Sequence, residues 1–216
     1  MKVDVKICGL STPETIDGAI AAGAALVGLV FYPRSPRHVS LEKAAALAAR
    51  ARGKARIVAL IVDADDQAIA AIDAAVNPDL YQAHGSETPQ RIAAIRALTA
   101  KPVIKAIKVK DETDIAAAAL YAGKASLILF DAKAPESLKG ALPGGNGLAF
   151  DWSLLGRDGS QEGFILSGGL TPQNVAGAIR VTGAPIVDVS SGVESAPGVK
   201  DLGLIRKFIE AAKSAR

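Results

Sequence analysis

The chain has 216 residues, half of them hydrophobic, with 22% charged residues of both signs and a formal net charge of +3. This is the composition of a folded soluble protein rather than a disordered one, and the charge is too weak and too dispersed for a nucleic-acid partner, since no run of four Lys or Arg and no basic–aromatic interleaving occurs. The single cysteine, Cys8, excludes an internal disulfide framework and a cysteine-rich metal site.

Charges at Lys2, Asp4, Lys6, Glu14 and Asp17 interrupt any secretory leader, and no apolar stretch approaches the roughly 20 residues that cross a bilayer. The expected location is therefore the cytoplasm, with no membrane partner.

Short runs rich in Val and Ile alternate with Ala-rich helical stretches to the C-terminus. A first strand is expected over 2–7, running into Cys8-Gly9, and Thr12-Pro13-Glu14 then supplies an N-cap with Pro at the first helical position. A second strand over 25–31 enters the loop Tyr32-Pro33-Arg34-Ser35-Pro36-Arg37, and Ser40 caps the next helix. Strands follow over 56–62 and 79–82, then a helix from Thr88-Pro89-Gln90, then strands over 102–108 and 125–130. The longest irregular stretch, 132–149, contains Pro143-Gly144-Gly145-Asn146-Gly147 and reads as a working loop. Strand 163–167, a helix from Thr171-Pro172-Gln173 and strand 185–189 complete the series.

Each run is short and apolar, as strands of a parallel sheet covered on both faces are. Eight such units predict a single-domain α/β protein, a (β/α)8 (TIM) barrel spanning 1–216. The rival, a doubly wound open sheet, commonly has five or six strands, and its dinucleotide form needs GxGxxG where this chain has Cys8-Gly9-Leu10-Ser11.

In such a barrel the chemistry gathers at the C-terminal strand ends. Strand 1 ends at Cys8, strand 3 reaches Asp63, strand 4 His84-Gly85, strand 6 Asp131, strand 7 Ser167-Gly168-Gly169 and strand 8 Asp188-Val189-Ser190-Ser191-Gly192. Small residues at Gly168, Gly169, Ser190, Ser191 and Gly192 let backbone N–H groups approach an anion, and loops 7 and 8 are this fold's usual phosphate site. The expected ligand is a phosphate ester.

A thiol whose pKa falls from about 8.5 toward neutrality removes a proton, and a carboxyl across the mouth donates one, so Cys8 and Asp131 suit a base and an acid. The plain alternatives are a small buried hydrophobe for Cys8 and a loop cap for Asp131. Arg37 carries a planar fork that fits a carboxylate, or is an exposed loop arginine. His84 either contacts substrate or fixes the turn at Gly85, and His38 reads as a loop residue. Lys6 points into the barrel if its strand is placed correctly, with Asp4 and Asp188 as candidate partners.

KICGL at 6–10, GLVFYPRSPRHVS at 28–40, QAHGSE at 82–87, LFD at 129–131, PGGNG at 143–147, LSGGLTPQNV at 166–175 and VDVSSGVESAPGVKD at 187–201 together resemble the phosphoribosylanthranilate isomerases of tryptophan biosynthesis. The resemblance covers the chain from end to end. It implies an Amadori rearrangement of N-(5-phosphoribosyl)anthranilate to 1-(2-carboxyphenylamino)-1-deoxyribulose 5-phosphate. Carried over, Cys8 matches the general base, Asp131 the general acid, Arg37 the arginine that holds the anthranilate carboxylate, and Gly168-Gly169 with Ser190-Ser191-Gly192 the phosphate loops.

The implied reaction is redox-neutral, so no metal, nicotinamide or flavin is expected. Ala83, Ser167 and Asn146 depart from the family pattern. The histidine-pathway isomerase is a rival on the same fold, but it resembles two fused half-barrels with an aspartate ending strand 1, and the acidic loop at Asp63-Ala64-Asp65-Asp66 would repel its second phosphate. A non-catalytic phosphometabolite sensor would have relaxed Cys8 or Asp131. Sequence leaves monomer and homodimer open.

Overall fold

In the computed structural model, residues 3–135, 142–156 and 163–215 are described. Eight parallel strands close into a barrel in chain order: β1 Asp4–Cys8, β2 Leu26–Phe31, β3 Arg56–Ile61, β4 Leu80–Ala83, β5 Val103–Val109, β6 Leu127–Ala132, β7 Ile165–Leu166 and β8 Ile186–Val189. β8 pairs with β1 from Asp4 opposite Ile186 to Ile7 opposite Val189, which closes the ring. All eight expected strands are present. β1 starts later than expected and takes in Cys8, β6 runs on through Asp131, and β7 is only two residues long. Lys2, where the first strand was expected to begin, lies outside the described residues.

The helices α1 Pro13–Ala22, α2 Leu41–Ala51, α3 Asp66–Val76, α4 Pro89–Thr99, α5 Glu112–Ala116, α6 Ser153–Gly156, α7 Val175–Thr182 and α8 Leu202–Ser214 lie around the barrel. Thr12, Ser40 and Thr88 each accept a backbone N–H three residues on, as their sequence contexts predict; each such cap contributes about 1 kcal/mol.

The cap expected at Thr171 does not form. Asn174 instead accepts from Thr171 N at 2.7 Å and donates to Gly169 O at 2.9 Å, so its amide staples the loop after β7 and delays α7 to Val175. After β5 the Ala-rich run gives one short turn of α-helix followed by a 3₁₀ segment, Ala117–Tyr121, rather than a full helix. A short hairpin, β9 Glu194–Ala196 with β10 Val199–Lys200, precedes α8.

Two apolar layers hold the fold. Leu26, Val58, Leu80, Ile104, Leu129 and Ile165 pack inside the barrel. The opposite faces of the strands meet the helices through residues such as Ile57, Tyr81, Phe130, Ile16, Leu47 and Phe208. No helix among the described residues is long and apolar enough to cross a membrane.

Candidate active site

Pleat parity decides what enters the mouth. Residues two or four positions beyond the inner apolar layer on the same strands also face the axis, which directs Gln82, His84, Asp131 and Ser167 inward. Register carries the rule to β1 and β8, where Lys6 lies opposite both Leu26 and Asp188, so Lys6, Cys8, Asp188 and Ser190 share that face.

A cavity of about 760 Å³, counting space open to solvent, lies over these strand ends, within the size range of small-molecule sites. It is lined by Cys8, Arg37, His84, Asp131, Gly168, Gly169, Ser190, Ser191 and Gly192, every site residue expected from sequence. Asp63 is not among the lining residues. β3 ends at Ile61, and the Asp63 carboxylate instead accepts from Ser86 N at 2.7 Å.

Cys8 sits at the end of β1 and is 4% exposed. Two residues earlier Lys6, fully buried, pairs with Asp188 at 2.8 Å, so of the two candidate partners the structure selects Asp188; Asp4 faces Arg56 at 3.7 Å. A Cβ at Gly28 would lie 3.0 Å from Cys8 Sγ and 3.3 Å from Lys6 Nζ, so only glycine leaves room for both groups beside β2. Burial pushes the Cys8 thiol above its ordinary value, with Lys6 and then Lys200 pulling the other way. The expected fall toward neutrality is therefore not met, because desolvation of the thiolate outweighs the two cations. For Lys6 itself burial disfavours the charge, but Asp188 and Cys8 overcome it and hold its pKa above the usual lysine value.

Across the mouth, Asp131 Oδ1 accepts from Ala132 N at 3.0 Å, and Oδ2 lies 3.2 Å from His84 Nε2. The other ring nitrogen, Nδ1, lies 2.8 Å from Gln82 Nε2. His84 does not fix the turn at Gly85: Glu87 does, its carboxylate accepting from Gly85 N at 2.9 Å and Asp63 N at 2.9 Å. The loop at 142–147, within the expected working loop, comes down onto this pair. A Cβ at Gly144 would meet His84 Nε2 at 2.5 Å and Asp131 Oδ2 at 2.9 Å. Asn146 closes the loop on itself, accepting from Leu142 N at 3.1 Å and donating to Leu142 O at 2.8 Å. Residues 136–141 of the expected loop lie outside the described residues.

Arg37 is not an exposed loop arginine, being 5% exposed. Its Nε and Nη2 donate to the two carboxylate oxygens of Glu194 at 2.7 and 2.8 Å, and Nη2 also reaches Gly145 O at 3.3 Å. One edge of the fork and both hydrogens of Nη2 are thus occupied from within the protein, and Nη1 remains for a ligand. Glu194 also accepts from Lys200 Nζ at 2.7 Å, and Lys200 donates to Ser190 O at 2.9 Å, while Ser190 Oγ donates to Cys8 O at 3.1 Å. Burial raises the Glu194 carboxyl, but the hydrogen bond from Arg37 and the charge of Lys200 outweigh it and leave its pKa below the usual value. Glu194, Lys200 and Gln82 were not singled out from sequence. Gln82 is marked only by standing two residues before His84 on one strand face, and Glu194 lies 157 positions from the arginine it holds.

The departures from the family pattern are explained locally. Ser167 Oγ reaches Asp188 Oδ2 at 3.5 Å, adding a donor to the carboxylate that Lys6 holds. Ala83 faces away from the mouth into the outer core. At the glycine-rich loops Gly168 has φ +83°, and a Cβ there would stand 2.6 Å from Ala132 N, so the loop after β7 lies directly on the end of β6.

A closed barrel whose mouth sets a thiol against a carboxyl, beside glycine-rich loops at strands 7 and 8, is built to move protons on a small phosphorylated molecule. It is the site of a sugar-phosphate isomerase. The family model described as "N-(5'phosphoribosyl)anthranilate (PRA) isomerase" matches residues 5–211, and the chain belongs to that family. The N-(5'-phosphoribosyl)anthranilate isomerase of Parvibaculum lavamentivorans is 53% identical over 215 residues, covering 100% of both chains. The solved phosphoribosyl anthranilate isomerase of Thermotoga maritima superposes with a TM-score of 0.87 at 37% identity, covering 98% of each chain. A phosphoribosyl anthranilate isomerase in complex with reduced 1-(o-carboxyphenylamino)-1-deoxyribulose 5-phosphate superposes at 0.84 with 36% identity over 98% of each chain.

Proposed function

We propose that the chain acts over 1–216 as one catalytic domain that isomerises N-(5-phosphoribosyl)anthranilate to 1-(2-carboxyphenylamino)-1-deoxyribulose 5-phosphate in tryptophan biosynthesis. The observation that carries this reading is that Cys8 and Asp131, on strands at different sides of one barrel, line the same cavity as the two glycine-rich loops. A phosphorylated substrate does not cross membranes unaided, which puts the reaction in the cytoplasm, and the protein works as a monomer or a homodimer.

The substrate phosphate binds the loops at Gly168-Gly169 and Ser190-Ser191-Gly192, and the anthranilate carboxylate takes the free side of the Arg37 fork. Asp131 protonates the furanose oxygen. The C1–O bond breaks with its electron pair going to that oxygen, and nitrogen donates its lone pair to C1, giving an iminium. Cys8 then removes the proton on C2′, and the C–H electrons neutralise the iminium as an enolamine, which tautomerises to the ketose. The steps are proton transfers and one C–O cleavage with no net change of oxidation state, so the chemistry calls for no redox group.

The raised thiol suits this order of events. Cys8 rests as a thiol and must release its proton to solvent before it acts as base; the iminium cation then both acidifies C2′ and favours the thiolate. Below the high-pH limb, activity should rise with pH, since the thiolate becomes available as pH rises.

The test follows the decay of phosphoribosylanthranilate fluorescence with wild type, Cys8→Ser and Asp131→Asn, with the histidine-pathway substrate as control. Fast turnover by wild type, lost by at least about 10²-fold in each variant, is the expected result. Binding without turnover would overturn the reading in favour of a phosphometabolite sensor, and active variants would overturn the acid and base roles.

A further inference from the structure

Gln82 is fully buried beneath the mouth, and its side chain makes one hydrogen bond, to His84 Nδ1. Its far atom, Oε1, has no partner among the described residues. A buried amide fastened at one end only is free to present either end to the imidazole, and the two ends differ: NH₂ donates, the carbonyl accepts. The choice fixes the ring. If Nε2 of Gln82 donates, Nδ1 must be bare and His84 Nε2–H points at the Asp131 carboxylate. If Oε1 accepts, Nδ1 carries the hydrogen and His84 Nε2 faces Asp131 as an acceptor. Only the second arrangement leaves room for one more proton between His84 Nε2 and Asp131 Oδ2, which are 3.2 Å apart.

Resting on the isomerase reading above, we propose that Gln82 is a positioning residue for the acid step: its carbonyl holds His84 Nδ1–H, so that His84 Nε2 and Asp131 Oδ2 share the proton Asp131 delivers to the substrate. On delivery the O–H bond at Asp131 breaks, one forms at the furanose oxygen, and Asp131 is left a carboxylate facing the Nε2 lone pair. That repulsion favours reloading by a proton from solvent before the next turnover. Ala132 N–H holds Oδ1 and keeps Oδ2 on the histidine side. The charged or titratable groups that line the mouth with this pair are Cys8, Asp188 and Arg37, with Lys6 held on Asp188; Lys108 stands opposite Asp131 in the β5–β6 register, and Asp63 lies beside Gly85 outside the lining. Among the described residues the ring's hydrogen-bond partners are Gln82 and Asp131.

The experiment compares pH profiles of kcat/KM and kcat for wild type, Gln82→Met and Gln82→Glu. Methionine fills the space but cannot accept from Nδ1–H, so kcat falls at least about tenfold, KM stays within about threefold, and the high-pH limb moves to lower pH. An ionised glutamate accepts and does not donate, so that limb moves to higher pH and kcat stays within about tenfold of wild type. A merely structural amide would not move the limb in opposite directions. Should either variant fail to fold, ¹⁵N spectra of the wild type decide, because only His38 and His84 contribute ring signals. Nδ1 of His84 is expected to be protonated wherever the enzyme is active; a bare Nδ1 across that range overturns the proposal. So does a Gln82→Met enzyme with the wild-type profile. A wild type that does not turn over phosphoribosylanthranilate sinks the isomerase reading instead, which separates the two failures.

Discussion

Lys6 on β1 and Lys105 on β5 are both buried, and each is paired with one carboxylate at 2.8 Å, yet the two pairs serve different ends. Lys6 faces the barrel axis, so its pair with Asp188 lies beneath Cys8 and acts on the thiol. Lys105 follows the inward Ile104 and faces out, where its ammonium holds Glu87 and Gly85 O and stands 5.8 Å over the Tyr121 ring. The same interaction sets the electrostatics of a site or fastens a loop according to the parity of one strand position.

Breaking the outer pair gives the largest effect. Lys105→Met leaves Glu87 buried without its cation, and a chemical denaturation curve should show about 3–5 kcal/mol of stability lost, while kcat/KM of the folded fraction stays within about threefold. Lys6→Met tests the inner pair. The first cation opposing the burial of the Cys8 thiolate is gone, so the rising limb of kcat/KM should move to higher pH, with activity at neutral pH down by about 10²-fold. A profile unchanged in position would show that the inner pair, too, is only structural.

Glu194→Gln sharpens the comparison at a third buried cluster. It weakens the hold on both Arg37 and Lys200, and we expect KM to rise about tenfold with a smaller change in kcat. Stability should also change its acid dependence. Glu194 titrates lower in the folded chain than its usual 4.5, so its contribution is present above that value and lost as pH falls through the lowered one. In Glu194→Gln that portion of acid destabilisation should be missing from a melting series taken below about pH 4.5. The smallest effect is at the surface, where Thr88→Ala removes a helix cap and costs about 1 kcal/mol with kinetics unchanged.

The order of the strands, their parity and the residues at their ends were legible because each is written in a few consecutive positions. Cys8, His84 and Asp131 all lie where a short apolar run stops. What sequence did not carry are partners brought together by closure of the barrel: Lys6 with Asp188 was one of two options, and Arg37 with Glu194 was not visible at all. Thr171 was misjudged differently, since a Thr-Pro pair signals a cap only when no nearby amide competes, and Asn174 does. The direction of the Cys8 shift depended on how much burial surrounds the thiol, which no local pattern reports.

Burial of Cys8 also governs how the protein meets oxidants. Peroxides and alkylating reagents attack the thiolate, and their rate follows both its population and its access. At 4% exposure and with its ionisation pushed up, Cys8 offers little of either outside the catalytic moment. The chain's one thiol is thereby protected from sulfenic acid formation by the same environment that makes it wait for its substrate.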